Sequence, residues 1–409
     1  MGNGNLIINV YADNTGQPVE GAVVTISGGA VMEKLTTNSS GQTKSIPLNC
    51  PDKSLSLNPQ RDKIPYALYT VNVKKGILRE VTVMGVQILD GTLSMQDILM
   101  QSEPEKDAPA ETISIPPHVL WGDYPPKIVV DPESQIPGAA VGDVLAFPIV
   151  PEYVIVHDAL PTNTTAAQYF IPFSEYIKNV ASSEIYSTWP RESLKANIYA
   201  ILSFTMSRIY SEWYLSRGMR FTITSSTQFD QKFVYGRNIY AEIANVVDEI
   251  FDQFIAQGSR TFPFFAQYND GIRVSNPGWL SQWGSKDLAD RGYTALNILK
   301  YYYGDNISLK TATVIEGVPN SFPGNNLRLG ICGENVQKMQ TELNVISSSY
   351  PAIPKINPAD GNYAPSTEAA VRVFQQVFSM PVTGVVDFAT WFRISYLYIG
   401  VSKMLQGRY

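Results

Sequence analysis

Glu175-Tyr176-Ile177-Lys178-Asn179-Val180-Ala181-Ser182-Ser183-Glu184-Ile185, followed closely by Trp189-Pro190-Arg191-Glu192-Ser193-Leu194-Lys195-Ala196, decides how the centre of this chain folds. The run from Phe173 to Val180 starts helix-like, and Ser174 is a candidate N-cap because its hydroxyl can accept an orphan N–H. Pro190 suits the first turn of a second, longer helix, with Thr188 as its candidate cap. Leu194, Ile198, Ile201 and Ile209 recur at helical spacing and should face a core, and Trp213 extends the stripe. Glu184 falls between the two helices. On its own, a carboxylate there is either a solvated helix end or an acid placed for chemistry.

Downstream, Asn238 to Ile255 reads as one amphipathic helix, and Ser285 to Tyr303 contains a shorter one. Val336, Met339, Leu343 and Ile346 form a helical stripe. Val371, Phe374 and Phe378 form another, and Trp391 with Ile394 a third. Separated by Gly/Pro turns, they predict a small helical bundle. Upstream, Leu6–Tyr11, Ala22–Ile26, Tyr69–Val73 and Glu80–Val83 are strand-like runs with turn chemistry between them, which predicts a small antiparallel sandwich. Residues 102–151 hold ten of the 27 prolines, including Pro116-Pro117 and Pro125-Pro126. Missing N–H groups and fixed φ oppose a long helix or central strand there. The stretch reads as an extended, exposed connector of the kind proteases cut. The whole is a multidomain α+β chain: sandwich 1–101, connector 102–151, central α+β unit 152–310 and helical unit 326–409.

Length and composition remove several classes. At roughly 150 residues per domain, 409 residues make about two to four domains. Hydrophobic residues at 44% and charged residues at 17% are a globular balance, so wholesale disorder is excluded. Net charge is −6 without a Lys/Arg cluster, which argues against a nucleic-acid partner. Cys50 and Cys332 lie in different predicted units, so there is no disulfide scaffold. With His118 and His157 they are too few for the usual zinc site, and no metal or other cofactor is expected. No stretch reaches about 18 apolar residues, so no membrane span is expected. The start, Met1 to Asp13, lacks a basic segment and a long apolar run, and is not expected to act as a signal peptide.

The phrase Glu175–Ile185 with Pro190–Ala196 resembles the SpoIID/LytB family of peptidoglycan lytic transglycosylases. Trp279-Leu280-Ser281-Gln282-Trp283-Gly284-Ser285 is similar to a second phrase of that family. Asp290-Arg291-Gly292-Tyr293 with Ile298–Tyr303 is similar to its ending. The resemblance implies that Glu184 is the catalytic acid. It would protonate the leaving glycosidic oxygen, then take the proton of the sugar's C6 hydroxyl so that a 1,6-anhydro ring closes. A hydrolase would need a second carboxylate, for which Asp230 and Asp270 are the candidates. Lys195 is retained from the family phrase and either holds substrate, tunes Glu184 or is an exposed helix lysine. Ser281, Gln282 and Trp283 are candidate sugar contacts, or parts of a structural turn. Thr222–Gln231 stands where many family members carry a Cys/His zinc cluster. It has neither residue, so no metal is implied, and Thr227 and Gln231 remain as candidate sugar contacts. Leu202 replaces an arginine usual in the family.

Leu327-Arg328-Leu329-Gly330, Gly333–Val336, Gln340–Asn344, Asp360–Tyr363, Thr367–Val371 and Val382–Asp387 resemble the common three-helix peptidoglycan-binding domain. Gly16–Val24 resembles a phrase of the transthyretin-like or carboxypeptidase-regulatory module. The order of units resembles the clostridial spore cortex-lytic enzymes. That implies spore cortex peptidoglycan as substrate, synthesis in the mother cell, and storage as a zymogen in the coat and cortex region of the spore. It also implies activation by a subtilisin-like Csp protease that removes the N-terminal region. The Gln135–Ile136 bond is the preferred cut, beside the permissive Gly138-Ala139-Ala140. Two other readings stay open: a non-catalytic peptidoglycan-binding spore protein with a decayed site, and a muramidase-type hydrolase on the same scaffold.

Overall fold

Strict alternation builds the N-terminal unit. In β1 (Gly2–Ala12) the side chains of Leu6, Ile8 and Val10 share one face and are fully buried. The computed structural model describes residues 1–12, 16–102, 110–130, 145–318 and 320–405. After β1 come β2 (Val23–Gly28), β3 (Val31–Thr36), β4 (Ile46–Cys50), the one-turn α1 (Ser54–Leu57), β5 (Ala67–Lys75), β6 (Leu78–Ile88), β7 (Leu93–Met100) and β8 (Glu111–Ser114). They form two packed sheets whose inner faces bury Val24, Ile26, Val71, Val73, Val83 and Ile98. The pairing is mixed, not purely antiparallel as expected. β1 runs parallel to β7, and β6 runs parallel to β8.

The central unit holds β9 (Ile149–Val150), β10 (Tyr153–His157), β11 (Gln168–Pro172), α2 (Phe173–Glu184), α3 (Arg191–Tyr210), β12 (Ile223–Thr224), β13 (Ile239–Tyr240), α4 (Ala241–Ile250), β14 (Gln253–Gln257), β15 (Tyr268–Asn269), β16 (Leu280–Ser281), α5 (Gln282–Asp290), α6 (Ala295–Tyr303), β17 (Ile307–Thr311) and β18 (Val314–Ile315). Several local expectations change here. Pro172 and Pro190, both extended, occupy the N-cap positions of α2 and α3. Ser174 therefore lies inside α2 and caps nothing, while the Thr188 hydroxyl pairs with that of Ser56 at 2.8 Å. α3 ends at Tyr210, and the chain turns at Glu212 with φ +46°, so Trp213 is not on its stripe. The run 238–255 is not one helix. α4 stops at Ile250, and Ile255 lies in β14, which pairs antiparallel with β17. Phe254, Ile255 and Ala256 are all buried, and a short apolar run of that kind reads equally well as helix or strand. Likewise 285–303 splits into α5 and α6 around Gly292, whose φ of +85° suits glycine.

In the C-terminal unit lie α7 (Glu334–Ile346), α8 (Pro365–Val377) and α9 (Phe388–Leu405), with Met339, Phe374 and Trp391 buried between them. One continuous core runs from Tyr66, Leu89 and Leu120 through the central helices to Val371 and Trp391. The units are thus fused rather than strung out. β13 pairs antiparallel with β7 and so completes the first sheet of the sandwich. Gln87 and Asn238 exchange two hydrogen bonds at 3.1 and 2.9 Å. Trp189 Nε1 donates to the Ser56 carbonyl at 3.0 Å, and Arg393 of α9 reaches Glu175 of α2 at 3.0 Å.

The stretch 102–151 departs most from its expected exposure. β8 lines the edge of the second sheet, and Ile115, His118 and Leu120 are buried. His118 stacks on Tyr186 with ring centroids 4.3 Å apart. Prolines oppose a helix but not burial of the residues between them: Ile115, His118 and Leu120 pack inward while Pro117, Pro125 and Pro126 stay exposed. The expected cut at Gln135–Ile136 lies outside the described residues. Among those described, no helix is long and apolar enough to cross a membrane.

Candidate functional site

Glu184 is the last residue of α2, and Ile185 leaves the helix in extended conformation. A carboxylate at that end meets the negative pole of the helix dipole. It is also 3% exposed. One oxygen, Oε1, accepts the Lys232 backbone N–H at 2.7 Å. The other, Oε2, accepts no hydrogen bond from the described residues. The Tyr268 hydroxyl adjoins the carboxyl without hydrogen-bonding geometry. Burial pushes the Glu184 pKa up, and the Lys127 ammonium and the Lys232 N–H only partly oppose it. A half-bonded carboxyl whose pKa is raised by burial is suited to general-acid work.

Glu184 borders a cavity of about 150 Å³ that is also lined by Lys127, Thr227, Tyr268, Asp270 and Gln282, among others, while Oε2 itself is buried. Gln282 donates to the Glu184 backbone carbonyl at 3.2 Å, fixing the end of α2 against the start of α5. Lys127 is unusual. Its Nζ lies 4.1 Å above the Tyr268 ring and 4.6 Å from that of Phe204. It has no hydrogen-bond acceptor among the described residues. Burial lowers its pKa to about 8 despite the attraction of Glu184 and Asp230.

The other sequence candidates divide. Thr227 and Gln282 line the cavity. Gln231 is buried beneath it, where its carboxamide oxygen accepts from Tyr176 at 3.1 Å and Thr205 at 2.7 Å. Ser281 caps α5, its hydroxyl accepting from Gly284 N–H at 2.9 Å. Trp283 packs 4.8 Å from Trp189 in an aromatic cluster under Arg61. Ser281, Trp283 and Gln231 therefore hold the wall of the cleft. Lys195 turns away from Glu184 and bonds Glu249 at 2.6 Å, in a surface cluster with Arg191 and Glu242. Lys195→Ala is expected to cost no more than about 1 kcal/mol in a denaturant titration, because the pair is solvent-exposed. A loss above about 3 kcal/mol would show that it acts as a buried pair.

Neither candidate second carboxylate is free. Asp230 is fully buried and binds Arg208 at 2.8 Å, Tyr214 at 2.6 Å, and the Thr224 N–H and hydroxyl at 2.9 and 2.7 Å. Asp270 lines the cavity, but its Oδ1 accepts the Ile272, Arg273 and Val274 N–H groups, each at 3.0 Å. Although burial opposes it, those bonds and Arg273 hold its carboxyl below the usual range. Among the described residues no group of three or more His, Cys, Asp or Glu side chains is placed to hold a metal. Sequence reasoning missed Tyr268 and Lys127. Tyr268 stands in a Tyr-Asn-Asp-Gly turn with no charge of its own, and Lys127 is a lone cation in a proline-rich run.

Residues 332–394 match the domain family described as "Putative peptidoglycan binding domain", so this unit is a peptidoglycan-binding domain. The match covers well under half of the chain. A groove of about 200 Å³ lies on the unit between Pro323 and Val336. No curated protein matches the chain. Among solved structures, the Bacillus anthracis TIE protein is similar over 25% of this chain and 17% of its own, at 13% identity and a TM-score of 0.18. Klebsiella pneumoniae 5-hydroxyisourate hydrolase is similar over 24% of this chain and 91% of its own, at 14% identity and a TM-score of 0.17. The chain thus spans well under two thirds of the TIE protein's length.

Proposed function

We propose that this protein binds peptidoglycan through its C-terminal unit and cleaves the glycan strand at Glu184 as a lytic transglycosylase. The observation that carries the reading is the Glu184 carboxyl. It is buried and held by one N–H, its second oxygen is buried without a hydrogen-bond partner among the described residues, and the residue borders a cavity that Tyr268 also lines. In this reading Glu184 donates its proton to the glycosidic oxygen as the bond breaks. The resulting carboxylate takes the C6 hydroxyl proton, and that oxygen closes on C1, so no water is consumed. One carboxyl suffices in this scheme; of the two other carboxylates that line the cleft, Asp270 is occupied by its own loop and Asp123 is exposed. The binding domain would hold the cleft near its polymer and raise the local substrate concentration.

The arrangement of units resembles that of SleC, the spore cortex-lytic enzyme of clostridia. On that resemblance the substrate is spore cortex, and the chain is a stored form activated by a Csp-type protease during germination. Incubation of the purified protein, whole and after proteolysis, with isolated cortex tests the reading. Mass spectrometry of the products should show 1,6-anhydromuramyl ends. Reducing ends would make it a hydrolase, and intact glycan with retained sedimentation would make it a binding protein.

A further inference from the structure

Residues 123–130 cross the mouth of the Glu184 cleft and bond to both of its walls. On one wall the Ile128 N–H donates to the Gln228 carbonyl at 2.8 Å. On the other, the Gln267 carboxamide donates to the Val130 carbonyl at 2.8 Å and accepts the Val130 N–H at 3.3 Å. Just upstream, Arg273 donates to the carbonyls of Gly122 at 2.6 Å and Val119 at 2.8 Å. Between these anchors Lys127 lines the cavity and buries its ammonium against the Tyr268 and Phe204 rings, while Ile128 and Val129 are exposed. The remaining space, about 150 Å³, is below the roughly 300–1,000 Å³ of usual ligand pockets. Tyr124, Pro125 and Pro126 supply the rest of the roof.

We propose that this segment is a strap occupying the glycan groove, with Lys127 as the stopper over Glu184, and that sugar reaches the acid only when the strap lifts. The proposal rests on the lytic reading of Glu184. The anchors suit such exchange. The Gln228 carbonyl, the Gln267 carboxamide and the Arg273 guanidinium hold a polar backbone, and the amide and hydroxyl groups of an N-acetylated sugar strand offer the same donors and acceptors. The stopper is also weakly held. An ammonium sealed against two rings with no acceptor has given up its water without full compensation.

Two measurements test the strap separately from catalysis. Brief acetylation of the full-length protein at neutral pH, read peptide by peptide, should modify Lys127 about tenfold more slowly than exposed Lys34 if the strap is open a tenth of the time or less. Labelling of Lys127 as fast as Lys34 overturns the proposal whatever the enzyme does. Second, Lys127→Glu sets two carboxylates together and should expel the strap. Cortex release by the uncut variant should then exceed that of the uncut parent at least about tenfold, the inverse of that open fraction. Equal rates in a folded variant remove the strap and leave the lytic reading standing. No release from any form, with Lys127 still protected, removes the lytic reading and keeps the strap as a closed roof.

Discussion

Glu184→Gln is expected to lower glycan cleavage by at least ~10²-fold, because the amide keeps the shape of the carboxyl but cannot deliver its proton. The pH profile gives a second readout. The parent needs the protonated acid, so its rate should fall as pH rises through the elevated Glu184 pKa, and residual turnover by the variant should lack that limb. The parent's stability should fall over the same pH range as its activity. A carboxyl whose pKa is raised by folding stabilises the fold while it is protonated. That contribution is complete below the unfolded value near 4.3 and is lost as pH climbs through the folded one. Glutamine carries no such charge, so the variant should gain on the parent in thermal midpoint between pH 4 and pH 8. Parent-like cleavage by the folded variant would refute the assignment. A variant that loses ground to the parent as pH rises would refute the electrostatic account.

Asp230→Ala is expected to cost ~3–5 kcal/mol of folding stability, the usual penalty for leaving a buried charge without its partner. Arg208 and Asp230 are 2% and 0% exposed, and the same carboxylate satisfies Tyr214 and Thr224. Asp230→Asn keeps two lone-pair acceptors at the site and should lose less than the alanine variant. Urea unfolding followed by tryptophan emission would measure both. A cost under about 1 kcal/mol for alanine would mean that water repairs the site, and would reopen Asp230 as a residue available for chemistry.

How much of this was legible in the sequence depended on whether neighbours in the chain decide the structure. The α2 and α3 helices announce themselves through local pattern, as does the stripe of Met339 and Leu343 in α7. Glu184 stands out because it sits inside a phrase rather than alone. Capping was misread at Ser174 and Thr188 because a proline just before each helix took the cap position. Ile255 was misread because a three-residue apolar run has no period. Contacts distant in sequence left no local mark. For Lys195 the phrase alone left substrate binding, tuning of Glu184 and an exposed helix lysine open, and Glu249, brought in by α4, claims it. Lys127 looked like a linker residue, yet residues 123–127 line the cleft. Nothing in the alternation of β7 shows that its outer neighbour is Ile239 and Tyr240.

That last pairing has a consequence for the chain as it leaves the ribosome. Most of the sandwich can fold once residue 115 has emerged, but the outer edge of β7 around Ser94 and Met95 has no partner until Ile239 and Tyr240 have been made. An open strand edge invites pairing with another chain. While the intervening residues are being translated, two nascent copies on one messenger could dock edge to edge. The nascent protein is therefore most at risk of misassembly in the middle of its synthesis. The buried Gln87–Asn238 pair, closed at the same moment as β13, then locks the correct partner in place.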